Sequence, residues 1–78
     1  MKLLINKDYN YSLFHFNNKL YLTVICGSVA LYEVTIELNK EEKENYLKKE
    51  ETYIDKLALE IQSNSKRFAG RFIENFQR

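Results

Sequence analysis

Few side chains in this 78-residue sequence are equipped for chemistry, and none stands in a spacing that specifies a reaction. His15 lies between Phe14 and Phe16. A general base needs an orienting partner and a substrate proton within reach, and the sequence supplies neither, so His15 reads as an ordinary strand histidine. Cys26 precedes Gly27 at a turn. A reactive thiol wants cations beside it, whereas a lone cysteine more often packs as a small hydrophobe, and packing is the reading adopted. Glu41, Glu42, Glu44, Glu50, Glu51, Asp55 and Glu60 are interleaved with five lysines along one stretch. That is the makeup of a solvated helix face with i, i+4 pairs, not of an isolated acid/base couple. The single His and single Cys give no metal-ligand cluster. The two glycines, at 27 and 70, give no phosphate-cradling loop. No catalytic residue, cofactor or metal is therefore assigned, and the chain is read as not an enzyme.

Nucleic-acid binding is weighed separately. Residues 64–78 hold Lys66, Arg67, Arg71 and Arg78 against Glu74, and the strands are rich in aromatics that can stack bases. The long helix, however, sets seven acids against five lysines, which leaves no continuous basic field. No RNA-binding signature run is present, so nucleic acid is an unlikely partner.

The net charge of +1 implies no strong steering field. No apolar run approaches the roughly 18 residues of a membrane span. Charge interrupts the first residues too early for a signal-peptide core, so a cytoplasmic setting is expected. A single domain of this length buries only about 60% of its unfolded surface. Such small scaffolds need a staple, and one cysteine cannot form an intramolecular disulfide. Heavy aromatic packing, oligomerisation, or both remain.

The dominant element is an amphipathic helix predicted from Asn39 to about Ser63. Asn39 is a suitable N-cap, and Glu42 three residues on completes a capping box. Leu47, Ile54, Leu57, Ala58 and Ile61 recur on one stripe, with Tyr46 and Tyr53 flanking it. Glu50 falls near the centre of that stripe and Leu59 almost opposite it. Before the helix, Lys2 to Asn6 is a short apolar run, and Tyr9 to Phe16 and Lys19 to Cys26 read as strands. Asn17-Asn18 and Gly27-Ser28 are turn signals. Val29 to Leu38 alternates apolar with polar and reads as a further strand. After the helix, Phe68, Phe72 and Phe76 recur at helical spacing. Gly70 leaves a second possibility, a turn from Ser65 to Ala69 followed by an edge strand from Arg71 to Phe76.

Register follows from the alternation. A three-residue loop from Cys26 to Ser28 places Val34 and Ile36 with Leu20, Leu22 and Val24, and the helix is expected to cover these and Tyr32. The opposite face then shows Tyr21, Ile25 and Leu31, joined by either Tyr11 and Leu13 or Phe14 and Phe16. An apolar patch of that size suggests an interaction surface, and Leu59 is a further candidate for it.

The expected architecture is α+β: an antiparallel meander of three or four strands, covered on one face by one long helix, with a short C-terminal helix or edge strand. The run Tyr21-Leu22-Thr23-Val24-Ile25-Cys26-Gly27-Ser28, the alternation ending Ile36-Glu37-Leu38 and the acidic helix start resemble a group of small bacterial proteins over about residues 20–73. The resemblance implies a bacterial origin and the same layout, with no activity and no functional residue carried over. Small bacterial domains of this sort are sometimes immunity proteins or antitoxins. Two functions stay open: a non-catalytic protein-interaction domain that forms a homodimer or other homo-oligomer, and an inhibitor that binds a toxin or enzyme. The possible interaction surface is Tyr21, Ile25, Leu31 and Leu59.

Overall fold

The computed structural model describes residues 2–8, 10–27 and 32–73. Four strands, β1 (Lys2–Lys7), β2 (Tyr11–Phe16), β3 (Lys19–Cys26) and β4 (Tyr32–Glu37), form one antiparallel sheet in chain order. Two helices follow, α1 (Lys40–Lys49) and α2 (Glu51–Ser63), and then a 3-10 helix at Ser65–Arg71. Asn17 and Asn18 both take positive φ, 51° and 61°, the backbone of the tight turn whose twist matches a hairpin. The turn thus fixes the β2–β3 register, in which Leu13 faces Leu22 and Tyr11 faces Val24.

Between β3 and β4, Leu22 faces Ile36 and Val24 faces Val34, as side-chain alternation predicts. Among the described residues the last pair is Cys26 with Tyr32, a register that differs from the expected one by an even number of residues and so keeps the same parity. Parity alone decides which side chains are buried. One face gathers Tyr11, Leu13, Leu20, Leu22, Val24, Cys26, Val34 and Ile36, and Ile54, Leu57, Ala58 and Ile61 of α2 close over it. Tyr32 departs from expectation. It occupies the first position of β4 and stays half exposed.

The C-terminal segment turns and then extends. Phe68 is buried, Phe72 packs half-buried on the core, and the Ile73 amide donates to the Thr35 carbonyl at 2.8 Å, along the free edge of β4. The short C-terminal helix thus reaches Arg71, the residue at which the alternative began an edge strand; Phe72 and Ile73 belong to neither helix nor strand, and Phe76 lies outside the described residues.

The predicted single helix is broken. The Asn39 capping box forms, with both reciprocal bonds at 2.8 and 2.9 Å, but the helix stops after Lys49 and restarts at Glu51. The hinge is Glu50, at φ 54° and ψ −134°. In an unbroken helix Glu50 would sit in the apolar stripe, and burying an unpaired carboxylate costs several kcal/mol. A positive φ on a residue with a Cβ costs about 1–2 kcal/mol, so the break is the cheaper outcome. The change of phase leaves Glu50 in solvent and also turns Leu47 outward, where it is 75% exposed. Glycine takes this backbone without steric cost. Glu50→Gly is therefore expected to stabilise the monomeric fold by up to about 1 kcal/mol in urea unfolding. A loss of stability would show that the conformation at 50 is unstrained.

Candidate interaction surface

Two polar clusters tie the helices to the sheet. On one side, Asp55 of α2 accepts from the Lys7 ammonium and from the Tyr11 hydroxyl, both at 2.6 Å and both on Oδ1. Glu51 sits 3.1 Å from the same lysine, whose ammonium lies 5.6 Å from the centre of the Tyr11 ring. Its hydrogen bond to the Asp55 carboxylate raises the Lys7 pKa, and the bonds Asp55 accepts from Lys7 and Tyr11 lower its own. Burial, reinforced by Asp55, pushes the Tyr11 phenol up. Each group is held in its ordinary charge state at neutral pH. A general base or nucleophile needs the reverse, a pKa drawn toward 7.

On the other side, Arg71 grips Glu42 with two bonds, 2.6 and 3.0 Å, and donates to the Glu37 carbonyl at 2.9 Å. Glu42 is 8% exposed and also accepts from the Asn39 amide, so its buried carboxylate is fully engaged. The Arg71 guanidinium lies 5.8 Å from the Phe68 ring, and Glu42 raises its pKa further. Arg67, the neighbouring cation, is paired to Glu60 at 3.2 Å. Two of the cations that suggested nucleic-acid contact are thus committed to ion pairs within the chain. His15 is exposed at the end of β2, and Cys26 is buried with its thiol pKa raised by burial. Among the described residues, no group of three or more His, Cys, Asp or Glu side chains is placed to hold a metal ion. No helix among them is long and apolar enough to cross a membrane.

Of the residues proposed as an interaction surface, Tyr21 and Ile25 share a sheet face and Leu59 lies apart from them on α2. Tyr21 and Ile25 lie half-buried on the sheet face away from α2, joined by Phe14 and Phe16, while Tyr11 and Leu13 go to the covered face. A polar rung separates Tyr21 from Ile25. Asn6, Ser12, Thr23 and Thr35 face one another in turn across all four strands. Ser12 donates to Asn6 at 2.9 Å, and the buried Thr23 and Thr35 hydroxyls share a 2.8 Å bond. Leu31 lies outside the described residues. Leu59 is 62% exposed on the outer side of α2, away from the sheet.

A different apolar surface stands out where β1 meets α1. β1 forms the outer edge of the sheet. Its pairing with β2 slips between Leu3 and Ile5, so Leu4 is an extra, bulged residue. Leu4 borders an open groove of about 310 Å³ together with His15, Leu20, Tyr46 and Leu47. Ile5, Tyr46 and Leu47 border a second groove, of about 330 Å³, with Glu50 and Glu51. Leu4 and Leu47 are 37% and 75% exposed at this corner, whereas the exposed Leu3 and Phe16 lie on the opposite sheet face with Phe14. Sequence reasoning placed Leu47 in the core and so missed the site. The one signal for it was Glu50 inside the apolar stripe.

No family model, no curated protein and no solved structure matches this chain.

The clasp at Asp55 has a defined pH response. Its lowered folded-state pKa contributes stability that is present above the ordinary carboxylate range and is lost as pH falls through it. The thermal midpoint is expected to fall below about pH 4, and Asp55→Asn to lower it at neutral pH while flattening that acid limb. An unchanged acid limb in the variant would remove Asp55 from the account. Arg71→Ala leaves the Glu42 carboxylate buried without its cation, and a loss of about 2–4 kcal/mol is expected in chemical denaturation. Lys66→Ala, on an exposed residue, should stay within about 0.5 kcal/mol of the parent.

Proposed function

We propose that this chain is a non-catalytic protein-interaction domain that self-associates through the corner formed by Leu4, Tyr46 and Leu47. The observation that carries this reading is Leu47, three-quarters exposed and sharing a groove with Leu4 of the edge strand. An apolar cluster of this kind, rimmed by polar residues, is the usual mark of a docking surface.

The chemistry of the rim favours a second copy as occupant. Lys43 borders one groove and Glu50 and Glu51 the other, so the apolar residues are edged by both signs of charge, and the whole chain carries only +1. In a twofold interface each lysine of one protomer can meet a glutamate of the other, whereas a strongly charged partner finds no matching field. The bulge at Leu4 and the lysines at both ends of β1 are devices that discourage strand addition. Contact between copies is accordingly made by side chains and not by extending the sheet.

Light scattering across a concentration series is expected to give the mass of a dimer. Leu47→Glu should raise its dissociation constant about tenfold or more, as removal of a central apolar anchor does. Leu59→Glu should leave it within about twofold. The opposite ranking would move the interface to the outer face of α2. A monomer that copurifies at fixed ratio with another protein would replace self-association by the inhibitor reading.

A further inference from the structure

We propose that the dimer is built by exchange of α2. Glu50 opens, residues 40–63 become one continuous helix, and α2 with the segment after it packs on the sheet of the second copy. This rests on the self-association proposed above and specifies its geometry. Two independent observations point to it. Glu50 carries a positive φ on a residue with a Cβ, in a connection only one residue long, and short strained hinges invite exchange. The sequence across the hinge is also helical in pattern throughout, with no Gly or Pro from Asn39 to Gln62 and one apolar period running from Leu47 to Ile61. Hinge and sequence therefore disagree, and straightening removes the disagreement.

Geometry gives the exchanged half its destination. A continuous helix of this length spans about 36 Å, whereas the longest dimension of the molecule is 34 Å. It would extend past its own sheet, and its second half would then be free to cover the sheet of a second copy. The face of α2 that now covers Leu22 and Val24 would cover the same residues of the partner, with every core contact and the Lys7–Asp55 clasp remade between chains. Leu47, beside the straightened hinge, would meet its counterpart near the twofold axis.

The test pairs opposite charges across the clasp. Lys7→Glu and Asp55→Lys are made in separate chains, unfolded together, refolded and analysed by native mass spectrometry. In an exchanged heterodimer, one lobe sets Glu at 7 against Lys at 55 and the other keeps the natural Lys7 and Asp55. Both clasps are satisfied, and heterodimers should exceed their statistical share. Independently, Glu50→Gly should weaken dimerisation about tenfold or more, since glycine relieves the closed hinge and disfavours the continuous helix. Glu50→Ala should strengthen it, because alanine favours the helix and keeps the closed hinge strained. A dimer with statistical mixing and no response at residue 50 would overturn the exchange while leaving self-association in place. A monomer at every concentration would overturn both.

Discussion

Burial of one sheet face beneath α2 is the constraint on which the rest of the structure depends. Leu13, Leu22, Val24 and Ile36 are fully enclosed, and so are Ile54 and Ile61 above them. Each such side chain contributes about 1.5–3 kcal/mol relative to exposure, and no disulfide supplements them. In a chain this short the fold tolerates no slip of register, because one residue would move a whole strand's side chains to the wrong face. The turn at Asn17-Asn18 and the alternation in β4 both enforce the same register. Their agreement is what lets a small core specify one arrangement.

The polar clusters lie at the margins of that core and orient what the apolar contacts cannot. Lys7, Tyr11 and Asp55 connect the first hairpin to the start of α2. Glu42 and Arg71 connect the start of α1 to the segment that runs along β4. These contacts join residues far apart in sequence, 48 positions for Lys7–Asp55 and 29 for Glu42–Arg71. They therefore act after the chain has collapsed and choose among compact arrangements. Their electrostatics match that structural role, since every resolved shift in the two clusters favours the charge state each group already has at neutral pH. The Thr23–Thr35 bond does similar work on the second sheet face, where it satisfies two buried hydroxyls at once.

Whatever was encoded locally could be read before the structure. The strand from Lys19 to Cys26, the Asn-Asn turn, the N-cap at Asn39 and the parity of β3 against β4 all follow from residue type and a period of two. The candidate surface was not legible for the opposite reason. Tyr21 and Ile25 share a face by parity, but the rung that divides them draws one residue from each of four strands, and no single segment displays it. Arg71 carried a positive charge in the sequence and no hint that Glu42, 29 residues earlier, would claim it. Leu47 was misplaced because helical periodicity assumes an unbroken helix.

Glu50 is where that assumption fails, and the energies involved explain why the failure is narrow. Keeping one helix would bury a carboxylate at a cost of several kcal/mol, while breaking it strains one φ by about 1–2 kcal/mol and leaves Leu47 in water at about 2 kcal/mol more. The two totals are close. A chain whose alternatives differ by so little can be moved between them by whatever changes the surroundings of residue 50. If a second protomer provides a sheet for the far half of the helix, Glu50 lies between two lobes, near solvent, and the penalty that forced the break disappears. The same glutamate that breaks the helix in one copy would then tolerate its continuity in two. Under the exchange proposed above, a polar residue inside an apolar stripe would be the element that couples chain conformation to association.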